Sequence, residues 1–221
     1  MNKRAVIVSG GMIQEEFVSE KLRELKHDVL IGVDRGVGFL YQNHITPDYI
    51  VGDFDSLSEE IVQFYRENTD VSIRKFNPEK DFSDTEIAVC QAMELDCEEI
   101  ILLGATGNRI DHVLANIQVL AIPHKKGIHA EIIDENNRIY LIEHEAVLEK
   151  SKMYGKYFSV FPLDRCIENF SIIGAKYPLH NHRLCPYDSL CVSNQAQEEQ
   201  VKITFGRNCY FDRSKRGKLE K

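Results

Sequence analysis

The feature that most constrains this chain is a change of period part-way along it. Up to about Pro123, short runs rich in β-branched residues alternate with longer stretches whose apolar residues recur every three or four positions. After Gly127 the helical period is gone. Strand spacing is read at 5–9, 29–33, 49–51, 71–76 and 99–103. Helical spacing is read at 15–25, 58–67, 83–95 and 111–121, the last with Val113, Ile117 and Leu120 on one face. Alternation of this kind predicts βαβ units, and therefore an α/β domain with a doubly wound, mostly parallel sheet and helices on both sides. Ligands of such sheets sit beyond the carboxyl ends of the strands, so the loops that follow each strand are where chemistry is expected.

The second half reads as short strands broken by Gly, Pro and Asn. Runs at 130–134 and 138–142 flank Glu135-Asn136-Asn137, a hairpin turn. Further runs at 157–161, 167–173, 189–193, 201–205 and 209–211 point to an antiparallel β-sandwich or barrel. The expected organisation is an α/β domain over 1–125 and a β-sandwich domain over 126–213. A basic tail at 214–221 lacks apolar periodicity and reads as a solvated, disordered end.

Charge and cysteine usage narrow the function classes. A net charge of −8 gives no basic footprint for a nucleic-acid partner. The six cysteines include no CxxC pair and no accompanying His cluster, which argues against structural zinc and suggests reduced thiols in a cytoplasmic protein. No apolar run reaches membrane-spanning length, and the opening run is too short for a signal peptide, so no membrane partner is expected.

Three acidic loops carry the strongest signals. Gly52-Asp53-Phe54-Asp55-Ser56 directly follows a strand, and in an extended backbone Asp53 and Asp55 share one face while Phe54 takes the other. The same residues also read as a polar turn before a helix, because Ser56 and Glu59 fit a capping box. Lys80-Asp81-Phe82-Ser83-Asp84-Thr85-Glu86 opens a helix, where Ser83 and Glu86 make a capping box. Capping leaves Lys80, Asp81 and Asp84 unexplained together, and a helix start beside a lysine suits phosphate. Gly104-Ala105-Thr106-Gly107-Asn108-Arg109-Ile110-Asp111-His112 follows the fifth strand; its glycines admit a ligand close to the backbone, and Arg109 offers a planar fork for phosphate oxygens. It reads equally as a glycine turn with Asp111 in the next helix.

Taken together, the three loops are harder to dismiss than any one. Carboxylates about 4 Å apart repel by roughly 1–4 kcal/mol, depending on the effective dielectric. Several such pairs on one edge call for a divalent cation, and oxygen-only ligands favour Mg²⁺ over zinc. Ser9-Gly10-Gly11 and Asp34-Arg35-Gly36 add glycine turns after the first two strands. No GxxxxGK[ST] motif and no protein-kinase signature is present. These features suggest a metal-dependent enzyme that transfers phosphate groups from ATP.

Read in order, Asp34-Arg35-Gly36, Pro47-Asp48, Gly52 to Ser56, Lys80 to Asp84 and Gly104 to His112 resemble the thiamine pyrophosphokinase family. Gly174-Ala175-Lys176-Tyr177-Pro178-Leu179 and Ser193-Asn194 extend the resemblance through the second half. It implies an α/β domain followed by a β-sandwich, a homodimer with the thiamine site shared across subunits, and transfer of the pyrophosphoryl group of ATP to the thiamine hydroxyl. Carried over, Asp53, Asp55 and Asp84 would hold Mg²⁺ and phosphates, with Asp81, Ser83 and Asp111 completing the shell. Asp111 would orient or deprotonate the hydroxyl. Lys80, Thr106 and Arg109 would meet the phosphates, and Ser9, Gly10, Gly11, Asp34 and Gly36 the nucleotide. Ser193 and Asn194 would touch thiamine, although both also read as the polar end of a strand. Asn108, Arg35 and Gln195 depart from the family pattern. A pyrophosphokinase for another heterocyclic alcohol, such as a pterin, and a non-catalytic nucleotide or thiamine sensor are the alternatives.

Overall fold

In the computed structural model, which describes residues 3–52, 57–75, 82–143, 145–163 and 165–206, the chain forms two units, Met1–Leu141 and Ile142–Lys221. The first contains β1 (Arg4–Val8), α1 (Glu15–Glu24), β2 (Val29–Val33), α2 (Arg35–Gln42), β3 (Tyr49–Gly52), α3 (Glu59–Asn68), β4 (Ser72–Lys75), α4 (Asp84–Glu94), β5 (Glu99–Leu103), α5 (Ile110–Val119), α6 (Ala121–His124), β6 (His129–Ile133) and β7 (Arg138–Tyr140). Its seven-stranded sheet runs β4-β3-β2-β1-β5-β6-β7, parallel except for β7.

Alternation along each strand sends side chains to two cores. Ala5 and Ile7 of β1 face the layer containing Ala88, Val89 and Ala92 of α4, while Val6 and Val8 face Val18 and Leu22 of α1 and Leu40 of α2. The inner strands β1, β2, β3 and β5 are buried on both faces, as parallel strands between helices must be. The chain steps outward from β1 to β4 and returns to β5 beside β1. The switch in direction therefore lies between β1 and β5, where open α/β sheets bind ligands.

The second unit holds β8 (Glu145–Glu149), a 3-10 turn (Lys150–Lys152), β9 (Ile167–Ile173), β10 (Leu179–Leu184) and β11 (Gln200–Thr204). They form an antiparallel sheet in the order β10-β9-β11-β8 over a core of Phe170, Ile172, Leu184, Cys191, Val201 and Ile203.

Four expectations change. The units divide at Leu141 and Ile142, beyond the expected 125/126, because the β6–β7 hairpin extends the first sheet. A hairpin's period does not reveal which sheet it joins. The segments 157–161 and 189–193 form no strand of a sheet: Val160 donates its N–H to the Cys191 carbonyl at 3.2 Å, Phe158 makes an isolated bridge to Asn194 just beyond, and 190–193 is turn. The strands are instead β8, whose Glu-Ala-Val-Leu-Glu composition resembles a helix, and the polar β10. Finally, Cys166 and Cys185, expected as thiols, are joined by a disulfide. Ile167 pairs with Leu184, so the antiparallel register sets the next residues outward opposite one another, a juxtaposition 19 residues of separation do not announce. Cys90, Cys97 and Cys191 remain thiols; Cys209, the run 209–211 and the basic tail lie outside the described residues. No helix among the described residues is long and apolar enough to cross a membrane.

Candidate functional site

The loops after β1 and β5 are bound to each other by their backbones. Gly11 donates its N–H to the Gly104 carbonyl at 2.8 Å, and Met12 donates to the Thr106 carbonyl at 2.7 Å. A Cβ on Gly11 would lie 2.3 Å from the Thr106 oxygen, so only glycine allows this approach. The amide of Asn116, buried on α5, donates to the Ala105 carbonyl at 2.7 Å and steadies the second loop from behind. Helix α4 is pinned to the first loop by the buried Ser9 Oγ and Thr85 Oγ1, 3.2 Å apart. Its start is capped as expected: Ser83 Oγ accepts the Glu86 N–H at 3.2 Å.

The loop after β2 is drawn into the same edge. Gly36 sits so close to the end of β1 that a Cβ there would be 2.0 Å from the Val8 oxygen. Asp34 adopts φ 48° and ψ −127°, a costly conformation for a residue with a side chain and one typical of functional turns. Its Oδ1 would be 2.8 Å from a Cβ on Gly52, and its own Cβ 3.0 Å from one on Gly10. Asp34 therefore stands where β3 ends and Asp53 follows in the chain. Backbone contacts and two buried polar pairs thus bring Ser9, Gly10, Gly11, Asp34, Gly36, Thr106 and the α4 start, with Ser83 and half-buried Asp84, to one edge. Asp53, Asp55, Lys80 and Asp81 lie outside the described residues. Among the described residues no cluster of three His, Cys, Asp or Glu side chains forms a metal site.

Arg109 and Asp111 flank the start of α5 as a forked ion pair, Nη2 to Oδ2 at 2.6 Å and Nε to Oδ1 at 3.3 Å, with both side chains open to solvent. The hydrogen bond from Arg109 holds the Asp111 carboxyl below its ordinary value, and the same bond raises the guanidinium.

In the second unit Ser193 is exposed, with a positive φ of 56°, and its N–H donates to Ser159 Oγ at 3.0 Å. Asn194 is buried. Its Oδ1 accepts the N–H of Tyr177 at 3.0 Å and of Gln195 at 2.9 Å, and its Nδ2 donates to the Tyr177 carbonyl at 2.8 Å. The Asn194 amide is thus engaged with the backbone of Tyr177 and Gln195. Thr85 and Asn116 were missed. Their signal was a polar residue on the sheet-facing side of a predicted helix.

Comparison with known proteins decides the family. The profile for the thiamin pyrophosphokinase catalytic domain matches residues 22–132, and that for the thiamin pyrophosphokinase vitamin B1 binding domain matches residues 143–210. The chain belongs to the thiamine pyrophosphokinase family. The thiamine pyrophosphokinase of Bacillus subtilis is 31% identical over 185 residues, covering 82% of this chain and 85% of that protein. Thiamine pyrophosphokinase 1 of rice is 27% identical, and this chain spans 62% of its length. The Bacillus subtilis crystal structure superposes with a TM-score of 0.78 at 29% identity, covering 92% of this chain and 94% of the other; that from Geobacillus thermodenitrificans gives 0.75 at 30%, covering 92% and 93%. The yeast enzyme, at 16% identity and a TM-score of 0.75 with 92% and 83% covered, shares the fold. The activity is thiamine pyrophosphokinase, with ATP and thiamine as substrates; the pterin and sensor alternatives are not favoured. Kinases of this family typically need a divalent metal.

Proposed function

We propose that the edge between β1 and β5 is where the pyrophosphoryl group passes from ATP to thiamine, with Mg²⁺ as the divalent ion. Asp53, Asp55 and Asp84 would hold the ion. The donors are all carboxylate oxygens, which suit Mg²⁺, and Asp84 stands half-buried on a helix start fixed by the Ser9–Thr85 contact. When bound, the metal neutralises phosphate charge. The observation that supports this reading best is the backbone clamp between the Gly10-Gly11 and Gly104–Thr106 turns, which makes one rigid edge of residues far apart in the chain.

In the proposed step the thiamine hydroxyl oxygen attacks the β-phosphorus in line. The bond from that phosphorus to the oxygen bridging to the α-phosphorus breaks, and AMP leaves with that oxygen. Positioning and charge neutralisation carry such a transfer. Ser9, Gly10, Gly11, Asp34, Gly36, Ser83 and Thr106 would line the nucleotide side, and Lys80 and Arg109 would meet the phosphates. Asp111 would orient the hydroxyl or take its proton, and Asp81 would complete the shell. Phosphate competing for Arg109 would loosen its hold on Asp111 and restore the carboxylate's basicity. Ser193 would contact thiamine from a partner subunit of a homodimer, with Asn194 holding the turn that presents it. Exposed Phe82, Ile110 and Leu114 in the first unit and Tyr157, Phe161 and Tyr177 in the second leave apolar surface that fits self-association. Incubation of the purified protein with Mg-ATP and thiamine tests this reading. It predicts thiamine diphosphate and AMP in equal amounts, while thiamine monophosphate with ADP would contradict it.

A further inference from the structure

In the second unit the Ser193 turn is held by a segment that belongs to no strand of the sheet. Phe158 and Asn194 exchange backbone hydrogen bonds at 3.0 and 2.9 Å, and Val160 donates its N–H to the Cys191 carbonyl at 3.2 Å. Ser193 itself donates its N–H to Ser159 Oγ at 3.0 Å. These bonds end at Val160; at Cys166 a covalent bond, the disulfide to Cys185, joins the same two segments again. Residues 158–166 and 185–194 therefore form a closed ring, fastened by hydrogen bonds at one end and by sulfur at the other. Ser193 lies in that ring at φ 56°, a left-handed conformation that a residue with a side chain keeps only where its surroundings impose it.

The sheet has its own means of holding the same strands together. β9 and β10 are paired at Ile172–Leu179, Phe170–His182 and Ile167–Leu184, and Phe170, Ile172 and Leu184 are buried in its core. Cys185 is also fixed by its backbone: its N–H donates to Asp188 Oδ2 at 2.7 Å, and its carbonyl accepts the Asp188 N–H at 2.9 Å. Opening the disulfide therefore leaves the sheet and Cys185 in place and frees the Cys166 end of the segment that carries Ser159. Cys166 is half-buried while Cys185 is buried, so a reductant reaches the bond from the Cys166 side. Cys191, in the same turn, is buried, and burial pushes its thiol up to about 11. It stays protonated at neutral pH and does not capture either sulfur, so the pair that opens is the pair that closes.

We propose that the Cys166–Cys185 bond is a redox latch on the thiamine-side turn, closed by oxidation and opened by a dithiol reductant. The proposal rests on the reading that Ser193 contacts thiamine. In opening, a thiolate of the dithiol attacks the Cys166 sulfur, the Cys166–Cys185 bond breaks, and Cys185 leaves with the bonding pair and takes a proton. The second dithiol sulfur then attacks the mixed disulfide and releases Cys166, so the protein gains two electrons and two protons while the reductant becomes a disulfide. With Cys166 free, segment 158–166 is tied at one end only, Ser159 loses its fixed place, and the Ser193 turn relaxes. Thiamine must then order the turn as it binds, and its affinity falls. The nucleotide side lies in the first unit and keeps its affinity.

Calorimetric titration of the full chain with thiamine, after equilibration with oxidised or reduced dithiothreitol, tests the latch without turnover. Mass spectrometry after thiol alkylation reports the state of the bond. Reduction is expected to weaken thiamine binding by about tenfold, as when a binding turn is ordered on binding rather than beforehand, with AMP affinity unchanged. Amide hydrogen exchange at Val160, Ser193 and Asn194 is expected to quicken while that of β9 and β11 stays slow. Cys166→Ser is expected to bind thiamine as weakly as the reduced protein and to ignore dithiothreitol; if it fails to fold, the reduced parent chain gives the same answer. Equal thiamine affinity in both states with the bond shown open, or no Cys166–Cys185 bond under oxidised dithiothreitol, would overturn the proposal. A redox effect that persists at full size in a Ser193→Ala variant of parental thiamine affinity would uphold the latch and sink the Ser193 reading instead.

Discussion

In the first unit the candidate residues stand at strand ends whose turns are fixed backbone to backbone, Gly11 to Gly104 and Met12 to Thr106, whereas in the second unit a side chain, the Asn194 amide, fixes the turn beside Ser193. The first arrangement depends on the absence of side chains at a few positions. The second depends on the presence of one. A parallel sheet supplies rigid strand ends at no extra cost, so the loops need only approach closely. A small antiparallel sheet leaves long connections, and a buried amide does the work that the ladder does elsewhere.

Substitutions at these two kinds of position should separate accordingly. Gly36→Ala places a methyl group against the Val8 carbonyl and is expected to destabilise the first unit by about 3 kcal/mol and to abolish ATP turnover. Denaturant unfolding checks it, and an unchanged midpoint would show that the turn yields more easily than its close contacts imply. Asn194→Ala strands the Tyr177 N–H and carbonyl and should cost about 2 kcal/mol in the second unit. KM for thiamine is expected to rise while AMP affinity is unchanged. A fall in both affinities would erase the distinction between the units.

The smallest effect is expected far from the proposed site. Glu131 on β6 is buried, 2.6 Å from Arg138 Nε and 3.6 Å from His129 Nε2. Burial opposes its charge, but the hydrogen bonds from His129 and Arg138 outweigh that and leave its pKa below the ordinary 4.5. The hydrogen bond to Glu131 raises His129 above 6.5 against the opposing effect of burial. Stability from the depressed carboxyl is present above 4.5 and lost as pH falls through its lowered value. Stability from the raised imidazole is present below 6.5 and lost as pH rises through its raised value. Both contribute in the window between. Glu131→Gln should therefore lower stability most there, by about 1–2 kcal/mol because Arg138 and His129 reach solvent, and progressively less above it. Melting temperatures across pH 4 to 9 read this directly, and a flat deficit would rule out the His129 contribution.

Much of the first unit was legible in the sequence because its period and its position in the sheet agree: β-branched runs lie in the centre and amphipathic helices outside. Helix α2 was not, since Arg-Gly-Val-Gly-Phe-Leu-Tyr-Gln carries two glycines that local propensity penalises, and packing of Val37, Phe39 and Leu40 overrides it. The glycine turns were visible as motifs, but their mutual bonding was not, because nothing local says that the turn after β1 meets the turn after β5. In the second unit the polar β10 and the helix-like β8 gain their strand character from partners across the ladder, which no local pattern contains.

The central claim is that carboxylates on the edge beside the β1–β5 clamp hold the metal and phosphates of the reaction. Its most direct test is the magnesium dependence of thiamine diphosphate formation by Asp84→Asn, which keeps the size of the side chain and the Ser83 cap. The account predicts a maximal rate lower by about 100-fold or more and a half-saturating Mg²⁺ concentration well above that of the parent protein. A parental rate with unchanged magnesium dependence would contradict it.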